Sequence, residues 1–427
     1  MLLVEKVALN RKSKELRTDR RELVKLSLIK HNSKDTYQLH SLIRGFFRSK
    51  LSESDSVEKM KLGICRVMVA VAKEIPQTSI REQILAVKPA IAHLEEVGEN
   101  LTDWLADDDL IWLFVGLGRF YKGQGYYQSA QPWYEKCLNF TKSRFGSAHP
   151  DIATSLNNLA SLYKSQGRYS EAEPLYKDAL EMSKQLLGSA HPDIATSLNN
   201  LASLYKSQGR YSEAEPLYKD ALEMSKQLLG SAHPSIATSL NNLASLYKSQ
   251  GRYSEAEPLY KDALEMRKQL LGSAHPDIAT SLNNLAGLYK SQGRYSEAEP
   301  LYKDALEMRK QLLGSAHPDI ATSLNNLAGL YKSQGRYSEA EPLYKDALEM
   351  RKQLLGSAHP DIASSLNNLA SLYDSQGRYS EAEPLYKDAL AILYSQLGEE
   401  HPNTQTVRDN IFFAASPQGK SSRGVIG

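Results

Sequence analysis

The stretch HPDIATSLNNLASLYKSQGRYSEAEPLYKDALEMSKQLLGSA, residues 149–190, decides the fold because it is one copy of a 42-residue unit. Six such copies follow one another from His149 to Glu400, and each begins with a His-Pro pair. A period of this length is typical of a repeat architecture, in which each unit packs only on its neighbours. The sequence therefore predicts a solenoid rather than the two or three globular domains that a chain of 427 residues would otherwise suggest.

Each copy contains two helical patterns. Apolar residues recur at helical spacing over residues 151–165 and predict a first helix that ends at Gly167. Ser170 with Glu173 three residues later predicts a capping box at the start of a second helix, which ends at Gly188. The predicted core positions of the first copy are Ile152, Leu156, Leu159, Ala160, Tyr163, Ala172, Leu175, Tyr176, Ala179, Met182 and Leu186.

Partial copies flank the array. Residues 117–138 keep the pattern in degenerate form, with Gly118, Tyr121, Gly125, Ala130 and Tyr134 in register. After the array, residues 403–416 continue the register but place a polar residue, Arg408, where leucine stands in the copies. A polar outer face is expected of a terminal capping helix. We therefore predict seven repeats over residues 109–402 and a C-terminal capping helix over 403–416.

The repeat positions resemble the tetratricopeptide signature, although the usual unit has about 34 residues. The segments HPDIATSLNNLA and EAEPLYKDALE are similar to the longer repeats of kinesin light chains and related bacterial repeat proteins. The resemblance implies an all-α fold, an α-solenoid of helical hairpins wound into a right-handed superhelix. It also implies that the first helices line a concave groove that binds an extended peptide of a partner protein.

Polar residues cluster opposite the apolar stripe of the first helix, at Thr154, Asn157, Asn158, Ser161, Lys164, Ser165 and Arg168. In the family that this sequence resembles, Asn158 matches a clamp asparagine that bonds a ligand backbone or carboxylate. The predicted peptide-binding groove consists of Asn157, Asn158, Lys164, Asn199, Asn200, Lys206, Asn241, Asn242, Lys248, Asn283, Asn284, Lys290, Asn325, Asn326, Lys332, Asn367 and Asn368, and Asp374 closes the lysine column.

The residue types of this groove indicate the kind of ligand. An asparagine amide offers a donor and an acceptor, so it can pair with a peptide backbone of any sequence, and the lysines add a preference for acidic or phosphorylated ligands. Thr154 and Asn157 stand where the family's clamp has lysine, so the sequence does not predict a strict C-terminal carboxylate clamp. In the alternative interpretation, one asparagine of each pair braces the adjacent helix and the lysines form a solvated face.

The N-terminal segment does not show the repeat pattern. Residues 23–31 and 36–40 alternate as two strands around the turn NSKD, and Ser41 opens a helix. This segment resembles the close of the winged-helix module of NB-ARC-type signalling ATPases. We therefore predict a small α/β winged-helix-like remnant over residues 1–55, a helical lead-in over 56–108 and a disordered tail over 417–427. The lead-in comprises helices over 57–74 and 81–97, the second with Pro89 inside it, broken by Pro76 and by residues 98–100.

Composition and motifs favour a non-enzymatic protein. The net charge is +2, two cysteines cannot form a disulfide framework, and neither a signal peptide nor a membrane-spanning run is evident, so we expect a cytoplasmic location. No phosphate-binding glycine loop is present. The histidines of the His-Pro pairs recur one repeat apart, too far for a shared metal, and are expected to shape turns. We predict no cofactor, metal, membrane or small-molecule substrate.

Three functional hypotheses remain from the sequence. The first is a scaffold that binds a partner protein through an extended segment. The second is the sensor arm of an NB-ARC-type signalling ATPase whose nucleotide-binding part is absent. The third is nucleic-acid binding through residues 1–50, which carry 13 basic and 5 acidic side chains.

Overall fold

The computed structural model of the chain describes residues 29–33, 36–39, 56–76, 81–188 and 190–415. The chain divides into two compact units. One comprises residues 1–76 and 86–117, and the other comprises residues 77–85 and 118–427. The division passes through the first helix of the predicted repeat array, between Leu117 and Gly118.

In the first unit, strands β1 (Ile29–Ser33) and β2 (Thr36–Leu39) pair antiparallel, with Ile29 opposite Leu39. The predicted hairpin is confirmed here, but β1 runs on to Ser33, inside the predicted NSKD turn. A register shift between His31 and Ser33 leaves Asn32 without an opposite residue, and Ser33 pairs with Thr36. The rest of the predicted first strand, residues 23–28, the helix predicted from Ser41 and the tail over 417–427 lie outside the described residues.

Helices α1 (Ser56–Lys73) and α2 (Arg81–Asn100) form the lead-in, followed by two 3-10 turns (Thr102–Trp104 and Asp107–Asp109). The predicted break at residues 98–100 is wrong, because α2 continues through them. The amide of Leu101 still donates to the Val97 carbonyl, so the helical hydrogen bonds extend past Gly98.

Fourteen helices then alternate along the described chain as first and second helices, of which the last twelve form six consecutive hairpins, and a final helix follows. The first helices are α3 (Leu110–Lys122), α5 (Pro150–Ser165), α7 (Pro192–Ser207), α9 (Pro234–Ser249), α11 (Pro276–Ser291), α13 (Pro318–Ser333) and α15 (Pro360–Ser375). The second helices are α4 (Tyr127–Phe145), α6 (Tyr169–Leu187), α8 (Tyr211–Leu229), α10 (Tyr253–Leu271), α12 (Tyr295–Leu313), α14 (Tyr337–Leu354) and α16 (Tyr379–Leu397). The final helix is α17 (Pro402–Ala415). The predicted α-solenoid is confirmed.

The His-Pro pair starts each of the six first helices α5 to α15. Proline disfavours a helical conformation of the residue before it, and His149 is extended, with φ −149° and ψ 143°. The His149 Nδ1 then accepts a hydrogen bond from the Asp151 amide at 3.2 Å, and Pro150 occupies the first helical position, where no amide is needed. The histidine is therefore the N-cap residue.

The turn between the two helices is made by the backbone. Gly167 adopts φ +72°, and the Arg168 amide returns to the Tyr163 carbonyl. The second helix begins at Tyr169, with Arg168 as N-cap and no side-chain cap. The predicted capping box at Ser170 is therefore wrong. Glu173, its expected partner, contacts the next repeat instead.

The predicted core is confirmed except at Leu186, which is exposed, and it extends further than the apolar stripe. Leu156, Leu159, Tyr163 and Tyr176 are buried, and so is Leu162, which the stripe did not include. Each first helix from α5 to α15 packs against the second helix of its own repeat and that of the preceding repeat. Because each first helix is covered on two sides, more of its surface is buried than the single apolar stripe predicts.

A charged ladder joins the interhelix turns of successive repeats. Arg210 contacts Glu173 of the preceding repeat at 2.6 Å and Glu213 of its own at 2.6 Å, and its guanidinium carbon lies 4.1 Å from the Tyr205 ring centre. The Tyr205 hydroxyl donates to Glu173 at 3.1 Å. Equivalent Glu–Arg pairs are Glu215–Arg252, Glu257–Arg294, Glu299–Arg336 and Glu341–Arg378.

The array also contacts itself over a long distance. A Cβ placed on Gly125 would lie 2.6 Å from Pro360 Cδ, and one placed on Gly167 would lie 2.7 Å from His401 Cδ2. Both contacts join an interhelix turn to a His-Pro linker about five and a half repeats later. The repeats therefore complete one superhelical turn over this distance, and successive turns touch.

The first of these contacts changes the local backbone. The His359 imidazole hydrogen bonds to the backbone of Gly123, which tends to raise its pKa, but burial has the larger effect and lowers it. His359 has φ −71°, whereas His317 has φ −148°, and Leu355, which directly follows helix α14, is buried. The linker sequence LLGSAHPD is the same at both sites, so the tertiary contact selects the conformation.

Within the described ranges, no helix combines the length and apolar character that crossing a membrane requires.

The ladder predicts sensitivity to acid. Hydrogen bonds, first of all from the arginine, lower the pKa of Glu173, Glu215, Glu257, Glu299 and Glu341 to about 2. Their contribution to stability is complete above the unfolded pKa of about 4.3 and is lost as the pH falls towards 2. We expect the melting temperature to fall between pH 5 and pH 2, and less steeply for Glu215→Gln. An equal slope for Glu215→Gln and for the exposed control Glu223→Gln would contradict this assignment.

Candidate functional site: the inner face of the first helices

The first helices line the inner side of the array. From α5 to α15, first helices of successive repeats contact one another more closely than second helices do. A stack whose members approach more closely on one side curves towards that side. The polar residues predicted from the sequence lie on this side, which we call the inner face.

The first asparagine of each pair connects neighbouring repeats. Asn199 Nδ2 donates to the Ala195 carbonyl at 2.9 Å and to Ser239 Oγ of the next repeat at 3.2 Å. Its Oδ1 accepts from Asn242 Nδ2 of that same repeat at 3.2 Å. Asn157, Asn283 and Asn325 also donate to the corresponding serine. The first asparagine therefore bonds the adjacent helix, as the alternative interpretation expects of one asparagine in each pair.

The second asparagine has a different environment. Asn200, Asn242, Asn284 and Asn326 each use Nδ2 to donate to the first asparagine of the preceding repeat. Among the described residues, their Oδ1 atoms have no donor, and these four side chains are half-buried. Each of these residues therefore presents an amide oxygen, held in a fixed orientation, on the inner face. In α17, Asn410 continues the series by donating to Asn367 at 3.0 Å.

The lysines form a half-buried column beside the asparagines. Lys122 donates to Ser161 Oγ of the next repeat at 2.8 Å, and Lys164, Lys206 and Lys332 donate to Ser203, Ser245 and Ser371 in the same way. Burial, with the neighbouring lysine as a smaller cause, lowers the pKa of Lys122 and of Lys164 to about 8. Burial also lowers the pKa of Lys206, Lys248 and Lys290. The interpretation of these lysines as a merely solvated face is therefore wrong.

The other predicted polar residues have local roles. Thr154 Oγ1 donates to the Pro150 carbonyl and Ser165 Oγ to the Ser161 carbonyl, one helical turn earlier. Arg168 belongs to the ladder, where it contacts Glu171. The Tyr163 hydroxyl donates to Glu135, as expected for a core tyrosine with its hydroxyl at the rim.

Two sets of site residues were not predicted from the sequence. The first is the buried serines that accept from the asparagines: Ser197, Ser239, Ser323 and Ser365. The second is three buried arginines in second helices, Arg267, Arg309 and Arg351, where earlier copies have Ser183 and Ser225. The change from serine to arginine at one repeat position is visible in the sequence and could have indicated these residues. Helical spacing alone, however, gave no reason to expect that the arginine side chains are buried.

The repeated histidines serve the fold. His149, His191, His233, His275, His317, His359 and His401 each accept from the amide two residues later. Among the described residues, no three histidine, cysteine, aspartate or glutamate side chains are placed to hold a metal ion.

Comparison with family models identifies the repeats. The Tetratricopeptide repeat model matches residues 109–185, 166–227, 193–269, 235–311, 277–353 and 319–395. These matches together span most of the chain and begin after the N-terminal segment, so the winged-helix resemblance of residues 23–51 stays a prediction. No curated protein matches the chain.

Solved structures of repeat proteins are similar to parts of the chain. BtubC (BKLC) of P. vanneervenii is 29% identical with a TM-score of 0.43, over 54% of this chain and 90% of that one. A Podosopora anserina protein described as a kinesin light chain with nearly identical TPR-like repeats is 30% identical with a TM-score of 0.40, over 48% and 97%. A Rap protein complexed with competence and sporulation factor is 16% identical with a TM-score of 0.49, over 84% and 98%.

The burial of the lysine column predicts a gain in stability when a charge is removed. Lys164 has its pKa lowered from 10.5 to about 8, so the unfolded chain binds this proton more tightly than the folded chain. We expect Lys164→Met to raise the melting temperature at pH 7, and this difference from the unsubstituted chain to shrink as the pH rises from 8 to 10. The control Lys177→Met removes an exposed lysine paired with Glu173 and is not expected to stabilise. A lower melting temperature for Lys164→Met at pH 7 would show that the column stabilises the fold.

Proposed function

Because the chain belongs to the tetratricopeptide repeat family, we propose that it is a non-enzymatic scaffold that binds a partner protein. The partner contributes an extended segment, which lies along the inner face of the first helices. The ligand-contacting residues are the second asparagines and the lysines, and the first asparagines hold them in position.

The observation that carries this proposal is the series of amide oxygens on the inner face. The Oδ1 atoms of Asn200, Asn242, Asn284 and Asn326 recur once per repeat, and each amide is fixed by its own Nδ2 hydrogen bond. Fixed acceptors suit the backbone N–H groups of an extended peptide, because little side-chain entropy is lost on binding.

The lysine column determines the charge of the partner segment. Lys164 and Lys206 donate to neutral serine hydroxyls, so their charges are not neutralised by a carboxylate at hydrogen-bond distance. A half-buried cation without a counter-ion attracts an anionic ligand more strongly than a solvated one. We therefore propose an acidic partner segment.

The proposal is tested by the double variant Asn242→Ala, Asn284→Ala in the full chain. Peptides selected from a displayed library on the unsubstituted chain are expected to lose about tenfold in affinity for each amide that contacts them. The measurement is the dissociation constant by fluorescence anisotropy, with a thermal melt to confirm folding. The matched control is Gln227→Ala, which removes an exposed amide from a second helix.

Unchanged affinity in the folded double variant would show that the partner binds elsewhere. An equal loss in Gln227→Ala would show that the effect is not specific to the inner face.

A second proposal concerns the N-terminal hairpin. The antiparallel pairing of β1 and β2 supports the resemblance of this segment to the end of a winged-helix module, and the array would then be the sensor arm of an NB-ARC-type signalling ATPase. The test is the genomic sequence upstream of Met1. A reading frame with a phosphate-binding loop in phase with this chain supports the proposal, and a stop codon directly upstream contradicts it.

A further inference from the structure

The copies differ at one position of the inner face. The residue three after the second asparagine is serine in most copies, as in Ser203 and Ser245, but it is glycine at Gly287 and Gly329. In the serine copies this hydroxyl accepts from the lysine of the preceding repeat, as Ser245 does from Lys206. It also hydrogen bonds to a buried tyrosine of its own repeat, Tyr260 in this case.

The two glycine copies lack this link. A Cβ placed on Gly287 would lie 2.9 Å from Lys248 Nζ and 3.3 Å from Tyr302 Oη. The same atoms at Gly329 are Lys290 Nζ and Tyr344 Oη, again at 2.9 and 3.3 Å. An ammonium and a phenol hydroxyl thus converge on the place where the serine side chain lies in the other copies. We call these two places the glycine notches.

The donors at the notches are not satisfied within the protein. Among the described residues, neither Lys248 nor Lys290 has a hydrogen-bond acceptor or a carboxylate partner, and neither Tyr302 nor Tyr344 has a hydrogen bond. Burial lowers the pKa of both lysines and raises that of both tyrosines to about 12, so the hydroxyls stay protonated donors near neutral pH. An ammonium and a hydroxyl that face one point favour an anionic oxygen at that point.

Buried arginines add positive charge to the copies that carry the notches and to the copy before them. Arg309 donates to the Asp319 carbonyl at 2.9 Å, to Ser323 Oγ at 2.9 Å and to Thr280 Oγ1 at 3.2 Å. Arg267 donates likewise to the Asp277 carbonyl and a serine hydroxyl. All these acceptors are neutral oxygens. Arg309 lies in the copy with Gly287, and Arg267 lies in the copy before it, which carries Ser245. The buried positive charge therefore begins one copy before the notches, and the first two copies, with Ser183 and Ser225 at this position, lack it.

We infer that the glycine notches are a pair of oxyanion subsites that bind two carboxylate side chains of one extended acidic peptide. This inference rests on the proposed function and narrows it, because it places the selective contacts at Lys248 with Tyr302 and at Lys290 with Tyr344. The lysines that donate to serines, such as Lys164 and Lys206, add a general attraction for an acidic segment, whereas the notches bind individual carboxylates.

The distance between the notches sets the spacing of the carboxylates. Equivalent atoms of packed helices in successive repeats lie roughly 8–10 Å apart. A polyproline II segment rises about 3.1 Å per residue with three residues per turn, so side chains three residues apart lie on one face about 9 Å apart. The matching ligand carries acidic residues at positions i and i+3.

The test uses the full chain and the labelled peptide (Glu-Pro-Pro)4, whose carboxylates have this spacing, with (Gln-Pro-Pro)4 as the neutral control. The double variant Gly287→Ser, Gly329→Ser introduces the residue that the other copies already have. We expect it to weaken the binding of (Glu-Pro-Pro)4 by about tenfold and to leave (Gln-Pro-Pro)4 unchanged. The variant should fold, since serine has the higher helix propensity and the serine copies hold the same side chain beside the equivalent lysine and tyrosine.

The converse variant is Ser203→Gly, Ser245→Gly, which creates two further notches. It is expected to tighten the binding of (Glu-Pro-Pro)4, whose four carboxylates can then occupy four subsites. In both double variants, the difference in affinity between (Glu-Pro-Pro)4 and (Gln-Pro-Pro)4 must change. If both variants bind (Glu-Pro-Pro)4 as the unsubstituted chain does, the notches are not carboxylate subsites.

The outcomes separate this inference from the proposed function. If library-selected peptides bind the inner face but (Glu-Pro-Pro)4 and (Gln-Pro-Pro)4 bind equally, the scaffold function stands, and both the acidic partner segment and the notch assignment are overturned. If Asn242→Ala with Asn284→Ala changes nothing, the proposed function itself fails. A further peptide carries phosphoserine in place of glutamate. If it binds more tightly than (Glu-Pro-Pro)4, and if Gly287→Ser with Gly329→Ser removes this difference in affinity, the subsites bind phosphate rather than carboxylate.

Discussion

The structure depends on the burial of each first helix from α5 to α15 between two second helices, one from its own repeat and one from the repeat before it. Residues such as Ile152 and Leu162 are fully buried because both flanks of the helix are covered. A single hairpin cannot supply both flanks, so a repeat is stable only within the array. The same double burial leaves one strip of each first helix uncovered, and that strip is the inner face.

The residues of the inner face therefore hold neighbouring repeats together, and they also form the surface on which we propose that the partner binds. The asparagines and serines of this face must satisfy one another between repeats, because a half-buried amide without partners is costly. The first asparagine, as in Asn199, is used fully for this purpose, whereas the Oδ1 of the second, as in Asn242, has no donor among the described residues. The copies are nearly identical elsewhere, so a change from serine to glycine at two of them, Gly287 and Gly329, alters the chemistry of the face without altering the fold.

The sequence predicted the helices closely because they depend on local signals: apolar spacing, the His-Pro start and the glycine at each end. It did not predict which asparagine braces the next helix, because both lie on the polar face and only the distance to Ser239 separates them. The capping box failed because Arg210 draws Glu173 into a contact between repeats. The conformation of the linker before His359 could not be predicted from the local sequence, since identical linkers in other repeats adopt another conformation.

We propose that a partner segment contacts the inner face of the first helices. The most direct measurement is photo-crosslinking of a library-selected peptide, with a benzophenone at its centre, to the full chain, followed by mass spectrometry of the adducts. We expect adducts on the inner-face residues of first helices α7, α9 and α11. Adducts concentrated on the second helices or on residues 1–55 would contradict it.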